Sequence, residues 1–160
     1  MAETTLSFRA ETQRISLLLG VADANDIVCW VDAEITASDV PAAPLIDLSL
    51  GRTKPRIELH SLLASLVTEQ TGCGPLKIVL RRVAEQVRSQ QLDIGAAIHS
   101  IFDFLKNERI EDDLYITFAA LEDEYTDIRD GVYGNGDFIG LRDAMLDELD
   151  AYSGTDVNAG

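Results

Sequence analysis

The stretch Glu111-Asp112-Asp113-Leu114-Tyr115-Ile116-Thr117-Phe118-Ala119-Ala120-Leu121-Glu122-Asp123-Glu124-Tyr125-Thr126-Asp127-Ile128 decides the fold class. Its apolar residues Leu114, Phe118, Leu121, Tyr125 and Ile128 recur at steps of three and four, which is the spacing of one helix face. The same spacing continues on both sides. Leu76, Val79, Leu80, Val83 and Val87 form a core face behind Pro75, a residue suited to a first helical turn. Ala97, Ile98, Ile101, Phe102 and Leu105 are in register after Asp93. Phe138, Leu141, Met145, Leu149 and Tyr152 mark a last helix, which Asp137 is placed to cap.

Toward the N-terminus the helices shorten. Leu59, Leu62, Leu63, Leu66 and Val67 define one that ends at Gly72-Cys73-Gly74-Pro75. Arg52 to Arg56 reads as a basic loop, and Pro44 to Leu50 as a short helix closed by Gly51. Pro41 and Pro44 interrupt the pattern before it. Asp23, with Asp26 three residues on, is set to cap a helix whose stripe is Ala24, Ile27, Val28, Val31 and Ile35. In Glu11–Leu19 the residues Ile15, Leu18 and Leu19 share a face, and Gly20 is a natural stop. Strand signals are sparse: Thr5-Leu6-Ser7-Phe8 alternates, but over four residues only. The expected fold is all-α, with seven or eight helices in an irregular bundle or in stacked antiparallel pairs. No fixed-period repeat marks a named solenoid. The 160 residues suit one helical domain over 1–152, with 153–160 a flexible tail that lacks core residues.

Charge is the strongest compositional number. Thirteen Lys and Arg against 28 Asp and Glu leave −15. Residues 1–51 carry −6, residues 52–100 carry +3, and residues 101–160 hold sixteen acids and four bases for −12. Such a chain is repelled by nucleic acids and anionic membranes, whose binding depends on Lys and Arg meeting phosphate. A basic protein is its electrostatic complement. Acidity also serves solubility, yet a solubility coat has no need to concentrate in one third of a chain. No apolar run approaches the ~20 residues that span a bilayer. The opening Met1-Ala2-Glu3-Thr4-Thr5 is not the basic start of a secretory signal, so a cytoplasmic protein is expected.

Catalytic constellations are absent from the pattern. Cys29 lies in the apolar run Ile27-Val28-Cys29-Trp30-Val31, where a small buried hydrophobe is expected, and Cys73 sits in a glycine turn with no histidine local to it. His60 and His99 stand alone on separate helices, next to the core positions Leu59 and Ile98. Gly131, Gly134, Gly136 and Gly140 follow no strand and precede no Lys-Ser/Thr pair, so they read as a turn between helices and not as a phosphate loop. An EF-hand loop started at Asp123 places Ile128 at the obligatory glycine, and one started at Asp127 places Arg129 at a ligand position. No enzyme, cofactor or metal is expected.

The acids themselves are the candidate site. Glu122, Asp123, Glu124, Asp127 and Asp130 follow or interrupt an apolar stripe, with Tyr125 and Tyr133 interleaved. Asp123 and Asp127 are four apart on one face, where like charges repel by about 0.2–0.5 kcal/mol. Asp143, Asp147 and Asp150 repeat that geometry on the last helix. A cationic partner would relieve both repulsions, with Glu122, Asp123, Glu124, Asp127, Asp130, Asp143 and Asp147 steering it and Tyr125 and Tyr133 supplying anchors.

With Asp26-Ile27-Val28-Cys29-Trp30-Val31-Asp32, Pro44-Leu45-Ile46-Asp47-Leu48-Ser49 and Asp130-Gly131-Val132-Tyr133-Gly134, the chain resembles bacterial immunity proteins of polymorphic toxins. These include the immunity partners of contact-dependent inhibition and Rhs toxins. The resemblance implies an inhibitor that binds a cognate toxin domain in the cytoplasm, typically over its active site. It transfers no binding residue by motif, so the candidate site rests on charge alone. Two other readings stay open: a helical adaptor or regulatory scaffold for an endogenous protein, and a DNA mimic whose carboxylates track phosphate spacing.

Overall fold

The computed structural model describes residues 4–110, 112–132 and 137–154. The fold is all-α. Its helices are α1 (Leu6–Leu18), α2 (Ala24–Ala37), α3 (Ala43–Ser49), α4 (Arg56–Leu66), α5 (Gly74–Arg88), α6 (Ile94–Asn107), α7 (Asp113–Arg129) and α8 (Phe138–Gly154). A 3₁₀ turn, Gly51–Thr53, overlaps the start of the loop expected at Arg52–Arg56, and Arg56 already opens α4. No strand occurs among the described residues. The chain forms two compact units, 1–79 and 80–160, and the boundary falls inside α5.

In the first unit α1 packs on α4, and α3 packs on both α2 and α4. The core comprises Ala10, Leu17, Ile27, Val31, Leu45, Leu48, Leu59, Leu63 and Leu66, with Trp30 half-buried against it. Asp23 caps α2 as the sequence predicts: its side chain accepts from Asp26 N, and the Asp26 carboxylate accepts from Asp23 N, both at 2.9 Å. Thr5-Leu6-Ser7-Phe8 is helical, not extended. Thr5 is the N-cap of α1 and accepts from Phe8 N at 3.2 Å, so its hydroxyl starts a helix earlier than the apolar period does.

Most sides of α1 are buried, which its polar sequence hides. Ser7, Thr12, Arg14 and Ser16 are all buried. Thr12 and Ser16 donate back to the carbonyls of Phe8 and Thr12, at 2.8 and 2.7 Å. Arg14 is held by both Glu11 oxygens at 2.7 and 2.8 Å, and its Nη1 lies 3.0 Å from His60 Nε2 on α4. Burying that guanidinium is tolerable because it is paired and hydrogen-bonded. Cys29 is exposed, contrary to expectation. The buried face of α2 is Ile27, Val28 and Val31, and Cys29 falls one step past it.

In the second unit α7 packs against α6 and α8. The buried residues are Ala97, Ile98, Ile101, Phe104 and Leu105 from α6, Leu114, Phe118 and Leu121 from α7, and Leu141, Met145, Leu146 and Leu149 from α8. Phe102 stacks on Tyr115 with ring centroids 5.7 Å apart. Asp93 and Asp112 cap α6 and α7, accepting from Ala96 N and Tyr115 N. Asp137 accepts from Ile139 N at 3.0 Å, the cap expected for α8. That helix runs through Gly154, past the expected end at Tyr152. Residues 155–160 of the expected tail lie outside the described residues, as does Glu111.

Four helices close alike. The residue after the last turn has a positive φ, and the next N–H reaches back to a carbonyl five residues earlier: Val21 to Ser16, Gln91 to Gln86, Ile110 to Leu105 and Val132 to Asp127. Gly20 and Gly131 hold the left-handed position for α1 and α7. Gln90 (φ 59°) and Arg109 (φ 55°) hold it for α5 and α6, where a side chain makes that conformation costly.

Candidate functional site

The acids selected by charge divide into two groups in the structure. Three are engaged internally or masked by pairing. Glu122 sits on the flank of α7 that meets α6, where its Oε1 lies 2.9 Å from His99 Nδ1 and its Oε2 is buried without a hydrogen-bond partner among the described residues. His99 Nε2 in turn lies 3.3 Å from Asp103 Oδ2, one helical turn along α6. The Glu122 hydrogen bond first, and the Asp103 charge second, raise the His99 pKa above its ordinary value. Asp130 is the C-cap of α7 and pairs with its neighbour Arg129 at 2.9 Å, which holds its carboxyl below the usual range. Asp150 pairs with Arg88 of α5.

Asp123, Glu124, Asp127, Asp143 and Asp147 form the second group. Asp123 and Glu124 on α7 and Asp143 and Asp147 on α8 are exposed, while Asp127 is half-buried. Among the described residues none of the five has a cationic partner. Helix geometry explains the division. Leu114, Phe118 and Leu121 turn α7 inward, and Asp123 and Asp127 follow on the opposite side of the cylinder. On α8 the inward face is Leu141, Met145 and Leu149, and Asp143 and Asp147 point away from it.

The two tyrosines fare differently. Tyr125 is half-buried, with its ring 5.6 Å from Phe138, and a Cβ built on Gly95 of α6 would overlap it. Gly95 therefore leaves the space that lets α6 receive this ring, and Tyr125 contributes to packing within the unit. Tyr133 lies outside the described residues, as do Gly134 and Gly136 of the glycine segment.

His99 is the residue that charge counting passed over. Its spacing to Asp103 on α6 is visible in the sequence, whereas its contact with Glu122 exists only once α6 and α7 pair. Between these helices lies an open cleft of about 410 Å³ lined by Gly95, His99, Glu122, Tyr125, Thr126 and Arg129. Both imidazole nitrogens face carboxylates, Nδ1 that of Glu122 and Nε2 that of Asp103. Among the described residues no group of three or more His, Cys, Asp or Glu side chains is placed to hold a metal ion. None of the helices described is long and apolar enough to cross a membrane.

No protein-family model, curated protein or solved structure matches the chain.

Proposed function

We propose that this protein is a binding protein that presents the carboxylates of α7 and α8 to a basic protein partner, as an immunity protein does to a toxin domain. The observation that carries the reading is the set of acids without a cationic partner among the described residues: Asp123, Glu124, Asp127, Asp143 and Asp147. Nearby acids are used up, Glu122 by His99, Asp130 by Arg129 and Asp150 by Arg88. Two like-charge pairs four residues apart, Asp123 with Asp127 and Asp143 with Asp147, stand on these two helices. A partner rich in Lys and Arg, such as a nuclease toxin built to hold phosphate, relieves both repulsions on binding and is steered to the face at long range.

The test is capture from a lysate of the source organism, using the immobilised chain and stepped salt. The expected result is a basic protein released only at high salt and missing when all five acids are changed to their amides. Recovery of the same protein by that variant refutes the reading. A second reading, an adaptor for an endogenous protein, is favoured by one feature of the first unit. Val40, Ile46, Leu50 and Ile57 are exposed hydrophobics, and Ile46 and Leu50 share a face of α3 and its cap. Binding that resists salt and is lost on Ile46→Glu supports the adaptor instead.

A further inference from the structure

We propose a second binding site, independent of the acidic face: the cleft at the α6–α7 turn takes a small monoanionic amphiphile, a carboxylate on an apolar body. The cleft is open, measures about 310 Å³ and is lined by Leu105, Lys106, Arg109, Ile110, Tyr115 and Ile116. That volume lies at the lower end of small-ligand pockets, roughly 300–1,000 Å³. Its lining is apolar or aromatic except for two cations. Among the described residues neither Lys106 nor Arg109 has a carboxylate partner, although residues 101–160 hold sixteen acids and four bases. Two described acids that follow in sequence, Asp112 and Asp113, are directed elsewhere. Asp112 accepts from Tyr115 N as the cap of α7, and with Asp113 it lines a separate cleft beside Glu148 and Tyr152.

Arg109 holds the left-handed position that closes α6, at φ 55°, where α1 and α7 use glycine. Glycine closes such a turn without strain, whereas Arg109, like Gln90 at the end of α5, takes it at a cost to the fold. Ile116 is 67% exposed in the same cleft, leaving apolar surface beside the two cations. A net charge of −15 repels polyanions at a distance, which selects against nucleic acid and anionic membranes. A single carboxylate feels mainly the two nearby cations, while its apolar body covers Tyr115, Ile110 and Ile116.

The test uses the full chain with octanoate, octanol and octylammonium as probes. Octanoate is expected to raise the melting temperature by a few degrees and to move the amide resonances of residues 105–116, with little response to the other two. Arg109→Gly is expected to raise the melting temperature of the ligand-free protein and to abolish the octanoate shift. Lys106→Gln is expected to weaken the octanoate shift while leaving the ligand-free protein unchanged. The proposal is overturned by no response to octanoate, by an equal response to octanol, or by full octanoate binding in both variants.

Discussion

Protonation of His99 is expected to stabilise the α6–α7 pairing, and the structure sets both the sign and the size of the effect. The ring lies between Glu122 at 2.9 Å and Asp103 at 3.3 Å, so the imidazolium form bonds to two carboxylates. The folded pKa is raised, chiefly by the Glu122 hydrogen bond. A group with a raised folded pKa gives its full stabilisation below the unfolded value, about 6.5, and loses it as pH climbs through the folded value. The side chain is 63% exposed, which limits each pair to about 0.2–1 kcal/mol. The two together are therefore expected to contribute on the order of 1 kcal/mol. Because 28 acids also shape the pH profile, the readout is the difference between the wild type and His99→Gln in urea unfolding. That difference is expected to be about 1 kcal/mol at about pH 5.5 and to shrink as pH rises through the folded pKa. Only two histidines are present, so the His99 pKa is also readable by NMR. Parallel pH profiles, or a His99 pKa at or below 6.5, refute the reasoning.

Two further substitutions probe the first unit. A Cβ on Gly51 would lie 2.7 Å from Leu59 Cδ2, and Leu59 is 1% exposed, so Gly51→Ala is expected to destabilise by about 1–3 kcal/mol in urea unfolding; an unchanged midpoint contradicts that packing. Asp23→Ala removes the reciprocal cap of α2 and is expected to cost about 1 kcal/mol, whereas Asp23→Asn retains most of it, because an amide oxygen also accepts from Asp26 N.

The helices were legible because their core residues keep helical spacing, and Asp23, Asp93 and Asp137 mark their starts. What stayed hidden depends on partners distant in sequence. Arg14 is buried and meets His60 only once α4 packs on α1, although its spacing to Glu11 is visible in the sequence. Cys29 sits within an apolar run but one step off the buried face, and run composition cannot resolve a step of about 100°. Gln90 and Arg109 end helices where no glycine announces a stop. At the candidate site, charge counting located the acids but not their states. Sorting Glu122 from Asp123 required knowing that α6 lies on one flank of α7 and brings His99 with it.

The central claim, that unpaired acids on α7 and α8 recruit a basic partner, is tested most directly by association kinetics. The captured partner is purified, and its association rate with wild type and with Asp123→Lys/Asp127→Lys is measured across ionic strength. Screening shortens the reach of exposed charges from about 30 Å at 0.01 M salt to about 3 Å at 1 M. The double variant is expected to associate at least tenfold more slowly at low salt, with the two rates converging as salt rises. Equal rates at low salt, with the variant still folded, contradict the claim.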